Sequence, residues 1–295
     1  MSEYNLSTLT QGVIDRFAVT PDPRLKQLLT GLIRHLHNYI TEVDLKPDEW
    51  FAALQFLTKT GQISNDKRAE FILLSDTLGV SMLVVALAQA RAGATGSGAT
   101  AATEATVQGP YYWEGAPELP NGADVAKDTP GEPTLYRGKV TDTAGKPIAG
   151  ATLDIWSGNG EGNYDVDIPG LNEMRARGKI RTDAQGNYWF WSIRPAYYPI
   201  PTDGPVGTML NATHRQPNRP GHIHLMVSAP GHVPVTTHLF VKGTPYLDAD
   251  PVYGVRKSLI VDYQRHPAGK ASDGREMNAP YWSADYDFRL ASAKQ

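Results

Sequence analysis

The hydrophobic pattern of this chain changes period once, at Ala92-Gly93-Ala94-Thr95-Gly96-Ser97-Gly98-Ala99-Thr100, and that change restricts the fold more than any other feature. Upstream, Leu25, Leu28, Leu29, Leu32, Ile33, Leu36 and Ile40 follow the three-four spacing of one apolar helix face. A second helix is predicted to start at Pro47-Asp48-Glu49, to carry Trp50, Phe51, Leu54 and Leu57, and to stop at Gly61. Asp66 is placed to cap a third, which contains Phe71-Ile72-Leu73-Leu74. Helices with so much apolar surface must bury it against one another or against a second subunit. Downstream, Leu135–Val140, Thr152–Trp156 and Tyr188–Trp191 gather strand-forming residues, with turn signals at Ala144-Gly145-Lys146-Pro147 and Asp183-Ala184-Gln185-Gly186-Asn187. Short strands at such spacing predict a β-sandwich or barrel. The expected architecture is therefore α+β, with a helical domain and its linker over 1–103 and a β-sandwich over 104–295. The small residues of the break form either a flexible linker or an ordered surface loop.

A chain of 295 residues can bury a large core. Its net charge of −3, with lysines and arginines scattered, gives no basis for nucleic-acid binding and fits a small-molecule substrate better. Zero cysteines exclude disulfides and thiol catalysis and suit a cytoplasmic setting. Met1-Ser2-Glu3-Tyr4-Asn5 is polar and carries no secretory signal pattern. The run Phe71–Ala90 is about as long as a bilayer span, but Ser75, Asp76, Gly79 and Gln89 interrupt it, so a buried helix is expected and not a membrane span.

Chemistry enters with Asn218-Arg219-Pro220-Gly221-His222-Ile223-His224-Leu225. Side chains alternate along a strand, so His222 and His224 emerge on one face and can grip one metal ion. Two half-exposed strand histidines would explain the pair as well. Upstream turns carry tyrosines, in Gly162-Asn163-Tyr164-Asp165 and Pro195-Ala196-Tyr197-Tyr198-Pro199-Ile200-Pro201. A phenol, with a free pKa of about 10, ligates as phenolate only to a strongly acidic ion. Ferric iron is the biological candidate, because hard anionic oxygens favour high charge.

These motifs, with Tyr198-Pro199-Ile200-Pro201-Thr202-Asp203-Gly204-Pro205-Val206-Gly207, the segment Thr103–Tyr112 and Thr236-Thr237-His238, resemble the intradiol ring-cleaving dioxygenases over nearly the whole chain. Within that family the resemblance is greatest to members acting on hydroxyquinol (benzene-1,2,4-triol), then to those acting on catechol. It implies one Fe(III) per subunit, held by Tyr164, Tyr198, His222 and His224. Tyr198 is preferred to Tyr197 because the family's ligand directly precedes a Pro-Ile-Pro-like segment, and successive side chains in an extended segment oppose one another. The resemblance also implies that Tyr198 leaves the metal when the diol binds and that Arg219 stabilises charge developing on the ring. It puts pocket walls at Leu73, Asp76, Val107, Gln108, Gly109, Pro110 and Tyr111. Asp76 can accept a hydrogen bond from a third substrate hydroxyl. His238 falls where catechol-cleaving relatives carry glutamine, so it stands behind the metal or tunes substrate choice, unless it is an ordinary strand histidine. His35, His37, His214, His232 and His266 have no such setting.

The implied reaction is O2-dependent cleavage of hydroxyquinol to 3-hydroxy-cis,cis-muconate, the tautomer of maleylacetate, with catechol cleavage to cis,cis-muconate as the alternative. The implied assembly is a homodimer through the N-terminal helices, with a lipid between them. A rival from another class is a prealbumin-like binding module, which Gly138–Asp142, Gly145–Gly150 and Thr182–Tyr188 also resemble. Such a module has no need of the four-ligand set.

Overall fold

The computed structural model describes residues 5–65, 68–93 and 101–293, so the expected cap Asp66, residues 94–100 of the compositional break and most of the polar N-terminal segment lie outside the described residues. Five helices occupy the upstream part: α1 (Leu9–Arg16), α2 (Pro23–Glu42), α3 (Pro47–Ile63), α4 (Glu70–Thr77) and α5 (Val80–Arg91). The Asp22 carboxylate accepts hydrogen bonds from the Arg24 and Leu25 backbone N–H groups, and Pro23 opens α2 at the position where its missing N–H costs nothing. α3 begins at the expected Pro47 and runs past Gly61 to Ile63.

The apolar run 71–90 is not the single buried helix expected of it. Gly79, at φ +73°, breaks it in the left-handed region, and α4 and α5 bend away from each other by 74°. α4 buries Leu73, Leu74, Asp76 and Thr77, whereas α5 buries Met82 alone. No single helix among the described residues is long and apolar enough to cross a membrane.

The chain forms two compact units, Met1–Lys59 and Thr60–Gln295. In the first, Thr10 Oγ1 meets His37 Nδ1 at 2.9 Å between α1 and α2. The apolar faces of α2 and α3 are exposed among the described residues: Leu28, Leu32, Trp50 and Phe51 are 52, 61, 51 and 56% exposed. In the second unit, α4 is tied to the start of a later helix, α6 (Pro205–Ala212), by the Glu70 carboxylate, which accepts the Val206 N–H at 3.1 Å. Arg68 completes this clip, bonding Glu70 at 3.0 Å and Asp203 at 2.9 and 2.8 Å. These bonds place α4 with the sheets, although composition changes only after α5.

The strands are β1 (Pro133–Asp142), β2 (Thr152–Trp156), β3 (Arg177–Arg181), β4 (Asn187–Ile193), β5 (Tyr198–Pro199), β6 (Asn218–Arg219) and β7 (His222–Ser228). They continue with β8 (Val235–Val241), β9 (Ile260–Val261), β10 (Tyr263–His266), β11 (Gly269–Lys270), β12 (Glu276–Met277), β13 (Tyr281–Asp285) and β14 (Phe288–Leu290). One sheet runs β10-β13-β1-β14 with β4 also paired to β1, and the other runs β3-β2-β7-β8-β9. Tyr136, Val140, Tyr188 and Phe190 of the first meet Leu153, Ile155, Ile223, Leu225 and Leu239 of the second in one buried core, which makes the pair a sandwich. Both turn signals hold: Asp142 accepts from the Ala144 and Lys146 N–H groups, and Asp183 from those of Gln185 and Asn187.

β1 pairs in parallel first with β13 and then with β14, and the chain crosses between them at Tyr286 and Asp287. Gly138 makes room for that crossing, since a Cβ there would stand 1.8 Å from the Tyr286 carbonyl oxygen. A backbone obstacle cannot rotate away as a side chain can. Gly138→Ala is expected to destabilise the sandwich unit by about 3 kcal/mol, read from the shift of its tryptophan-fluorescence unfolding midpoint in urea; an unchanged midpoint would refute the close approach.

Candidate metal centre

β7 lies between β2 and β8, and its pleat sends Ile223, Leu225 and Val227 into the core while His222 and His224 face the opposite side. The register places Trp156 and His238 on either side of His224. The Trp156 ring stacks on the His224 ring with centroids 4.7 Å apart, and His238 Nε2 meets His224 Nδ1 at 2.8 Å. His224 is thus held from both neighbouring strands.

The tyrosines arrive from irregular segments that buried contacts fix. Tyr164 precedes a short 3-10 turn whose Asp165 receives Arg177 Nε and Nη2 at 2.6 and 2.5 Å, with both side chains buried. Tyr198 pairs across β5 and β6 with Arg219, which brings phenol and guanidinium side by side. Its neighbour Tyr197 is 46% exposed and packs on Tyr246, so only Tyr198 points inward. Gly162, at φ +90°, lets the two tyrosine segments meet, because a Cβ there would lie 2.7 Å from Tyr198 Cβ.

Four donor atoms close into a ring. Tyr164 Oη lies 2.9 Å from His224 Nε2 and 3.3 Å from Tyr198 Oη; His222 Nε2 lies 3.1 Å from His224 Nε2 and 3.3 Å from Tyr198 Oη. His222 Nδ1 donates to the Pro220 carbonyl at 2.7 Å, which leaves the Nε2 lone pair of the neutral ring facing inward. Burial, with Arg219 assisting, pushes both histidines well below the usual imidazole range, so they are neutral ligands in waiting. Burial pushes both phenols up, with Arg219 partly opposing this at Tyr198 and Tyr164. Ring edges near 3 Å are what donors about 2.1 Å from one ion make when they meet it at right angles. Two phenols and two imidazoles suit a hard, acidic cation, so the residues fit ferric iron.

Arg219 Nη1 stands 3.0 Å from His222 Nε2 and 3.5 Å from Tyr198 Oη, while its other nitrogens bind Asp250 at 3.1 and 3.3 Å. Burial disfavours the Arg219 charge, but Asp250 and the phenols outweigh it and hold the guanidinium protonated. Asp76 is buried within electrostatic reach of both Arg219 and Asp250. Burial pushes its carboxyl up to about 6 against the pull of Ser81 and Arg219.

A cavity of about 590 Å³ is lined by Leu73, Pro110, Tyr111, Asp167, Ile200 and Asp203 among others, with Tyr111 standing between it and the four-atom ring. Tyr111 stacks on Tyr164 with centroids 4.3 Å apart. Of the expected wall residues, Leu73, Pro110 and Tyr111 line this cavity, whereas the buried Asp76 does not. Gly109 stands against the His224 ring, with its Cβ position 3.5 Å from Cε1. Val107 packs with Met82 and Val252, Gln108 is exposed, and His238 is buried behind His224 with both ring nitrogens engaged. The ring nitrogens of His222, His224 and His238 lie within 4.8 Å of one another, and among the described residues no other histidine joins them. Sequence reasoning missed Trp156, Thr106 and Asp250, of which the acidic Asp248-Ala249-Asp250 stretch was the one local hint.

Residues 107–292 match the family described as Dioxygenase, and residues 22–96 match Catechol dioxygenase N terminus. The chain is 47% identical to the 6-chlorohydroxyquinol 1,2-dioxygenase of Cupriavidus pinatubonensis, over 98% of this chain and 99% of that protein. It is 44% identical to the hydroxyquinol 1,2-dioxygenase of Nocardioides simplex, over 97% and 95%. The solved hydroxyquinol 1,2-dioxygenase of Pseudomonas putida DLL-E4 superposes with a TM-score of 0.85 at 43% identity, covering 97% of this chain and 98% of that one. A sandwich that presents paired histidines and tyrosines beside a buried arginine, matched end to end in this way, is an enzyme and no passive binding module: the chain belongs to the intradiol ring-cleavage dioxygenases.

Proposed function

We propose that this enzyme cleaves hydroxyquinol between its two adjacent hydroxylated carbons with O2 at one Fe(III) per subunit, giving 3-hydroxy-cis,cis-muconate and, by tautomerisation, maleylacetate. The observation that carries the reading is the closed ring of Tyr164, Tyr198, His222 and His224, which the cavity-lining Tyr111 joins by stacking on Tyr164. The choice of triol is supported by relatives named for hydroxyquinol at 44% to 47% identity and by the buried carboxyl of Asp76.

When bound, the ferric ion supplies the Lewis acidity that lets the diol ionise and react with O2. Around it, each residue has a separate task. Tyr164, Tyr198, His222 and His224 hold the ion. Tyr198 Oη, beside Arg219, takes a proton from the incoming diol and turns aside. Arg219, kept charged by Asp250, stabilises negative charge on the substrate ring. Leu73, Pro110 and Ile200 form an apolar wall that limits water near the ring. Asp76, once ionised above pH about 6, accepts a hydrogen bond from the third hydroxyl, which catechol lacks.

We read residues 1–103 as the helical dimerisation domain, whose α4 also lends Leu73 to the cavity, and 104–295 as the catalytic domain. The uncovered apolar faces of α2 and α3 support a homodimer through these helices, and the family resemblance adds a lipid chain at the same interface.

Three outcomes follow for direct measurement. Tyr164→Phe is expected to lose iron and tyrosinate-to-iron charge-transfer absorption, with activity falling by more than the roughly 10–100-fold that loss of a ligand's hydrogen-bond partner costs; unchanged colour and iron content would discard the ligand. In O2-uptake assays corrected for autoxidation, the ratio of kcat/KM for hydroxyquinol over catechol should rise as pH increases through about 6 and stay low and flat in Asp76→Asn. Equal turnover of catechol by the parent enzyme would remove the role given to Asp76. Sedimentation should show a dimer that becomes monomeric when Leu28 and Leu32 are both replaced by Glu, and a parent monomer would end the dimer reading.

A further inference from the structure

We infer that His238 is a positioning residue for the metal, fixing His224 in the tautomer that presents Nε2 to the ion through a chain of hydrogen bonds that ends on Thr106. The inference rests on the assignment of His224 as a ligand. His224 and His238 are direct cross-strand partners, both buried, with Nδ1 and Nε2 2.8 Å apart. The other nitrogen of His238 lies 2.6 Å from Thr106 Oγ1. Thr106 is itself pinned, since its backbone N–H donates to the Thr236 carbonyl beside the same strand.

Counting hydrogens gives the chain its direction. His224 Nε2 points at Tyr164 Oη and His222 Nε2, so a metal there requires its lone pair and leaves the single proton on Nδ1. That N–H donates to His238 Nε2, which must be bare. The His238 proton then sits on Nδ1 and donates to the Thr106 hydroxyl oxygen. Each atom has one role, and His238 Nε2, occupied by His224, is not a third histidine ligand. The two ligands therefore differ in how they are held. His222 relies on the Pro220 carbonyl, which can only accept and is beyond reach of side-chain substitution. His224 relies on an imidazole that can be altered.

His238→Phe keeps a ring but offers no acceptor, leaving a buried N–H of His224 unpaired, whereas His238→Gln restores an amide oxygen. The test is iron affinity by chelator competition together with the charge-transfer spectrum of each iron-loaded enzyme. His238→Phe is expected to bind iron roughly 10–100-fold more weakly with a shifted band, and His238→Gln to recover most of the affinity. Parent-like affinity and an unshifted band in His238→Phe would overturn the inference. A parent enzyme without any charge-transfer band would instead overturn the ferric site itself, so the two failures are distinguishable. Should His238→Phe not fold, the tautomer can be read in the parent enzyme loaded with diamagnetic Ga(III). Imidazole nitrogen NMR should find the His238 proton on Nδ1, and a proton on Nε2, or a metal bound there, would refute the chain.

Discussion

The pairing of β7 with β2 on one side and β8 on the other sets both the core and the candidate metal centre. The same seven residues put Ile223, Leu225 and Val227 between the sheets and His222 and His224 on the far side. A slip of one residue would exchange these sets, placing imidazoles in the hydrophobic core and isoleucine at the metal. The burial that stabilises the sandwich therefore also holds the ligands in register. Trp156 and His238 reach His224 only because their strands share that register.

Burial governs the electrostatics as well. Arg177 with Asp165 and Arg219 with Asp250 are removed from water almost completely. Such pairs add little net stability, because losing hydration costs about as much as the attraction returns. Their value is positional: one fixes the turn that follows Tyr164, and the other aims a permanent cation at Tyr198. Asp76 makes no ion pair among the described residues, and its burial pushes the carboxyl up.

Whatever depends on neighbours in sequence was legible. Alternation in His222-Ile223-His224 gave the shared face, Pro47 marks a helix start, and the two aspartate turns appear where expected. The opposed directions of Tyr197 and Tyr198 follow from extended backbone alone. Contacts between distant segments were not legible. Asp250 meets Arg219 across 31 positions and Thr106 meets His238 across 132, with no periodicity to connect them. The parallel pairing of β1 with β13 is of the same kind. In the run 71–90 the signal was present, since Gly79 lies within it, but apolar length outweighed the glycine in the reading. The four residues that the structure brings into one ring were named as a set through family resemblance, because each alone has an ordinary explanation.

The clip in which Arg68 joins Glu70 to Asp203 links two parts of the cavity wall that are far apart in sequence, α4 and the segment around Ile200. Neither belongs to the strand that carries the histidines. The cavity wall and the paired histidines thus stand on separate parts of the fold. Residues of α4 and of 199–203 can be exchanged to admit a differently substituted ring while β7 and its partners stay untouched. The clip joins the two walls by hydrogen bonds between Arg68, Glu70 and Asp203, so a shift of one is passed to the other.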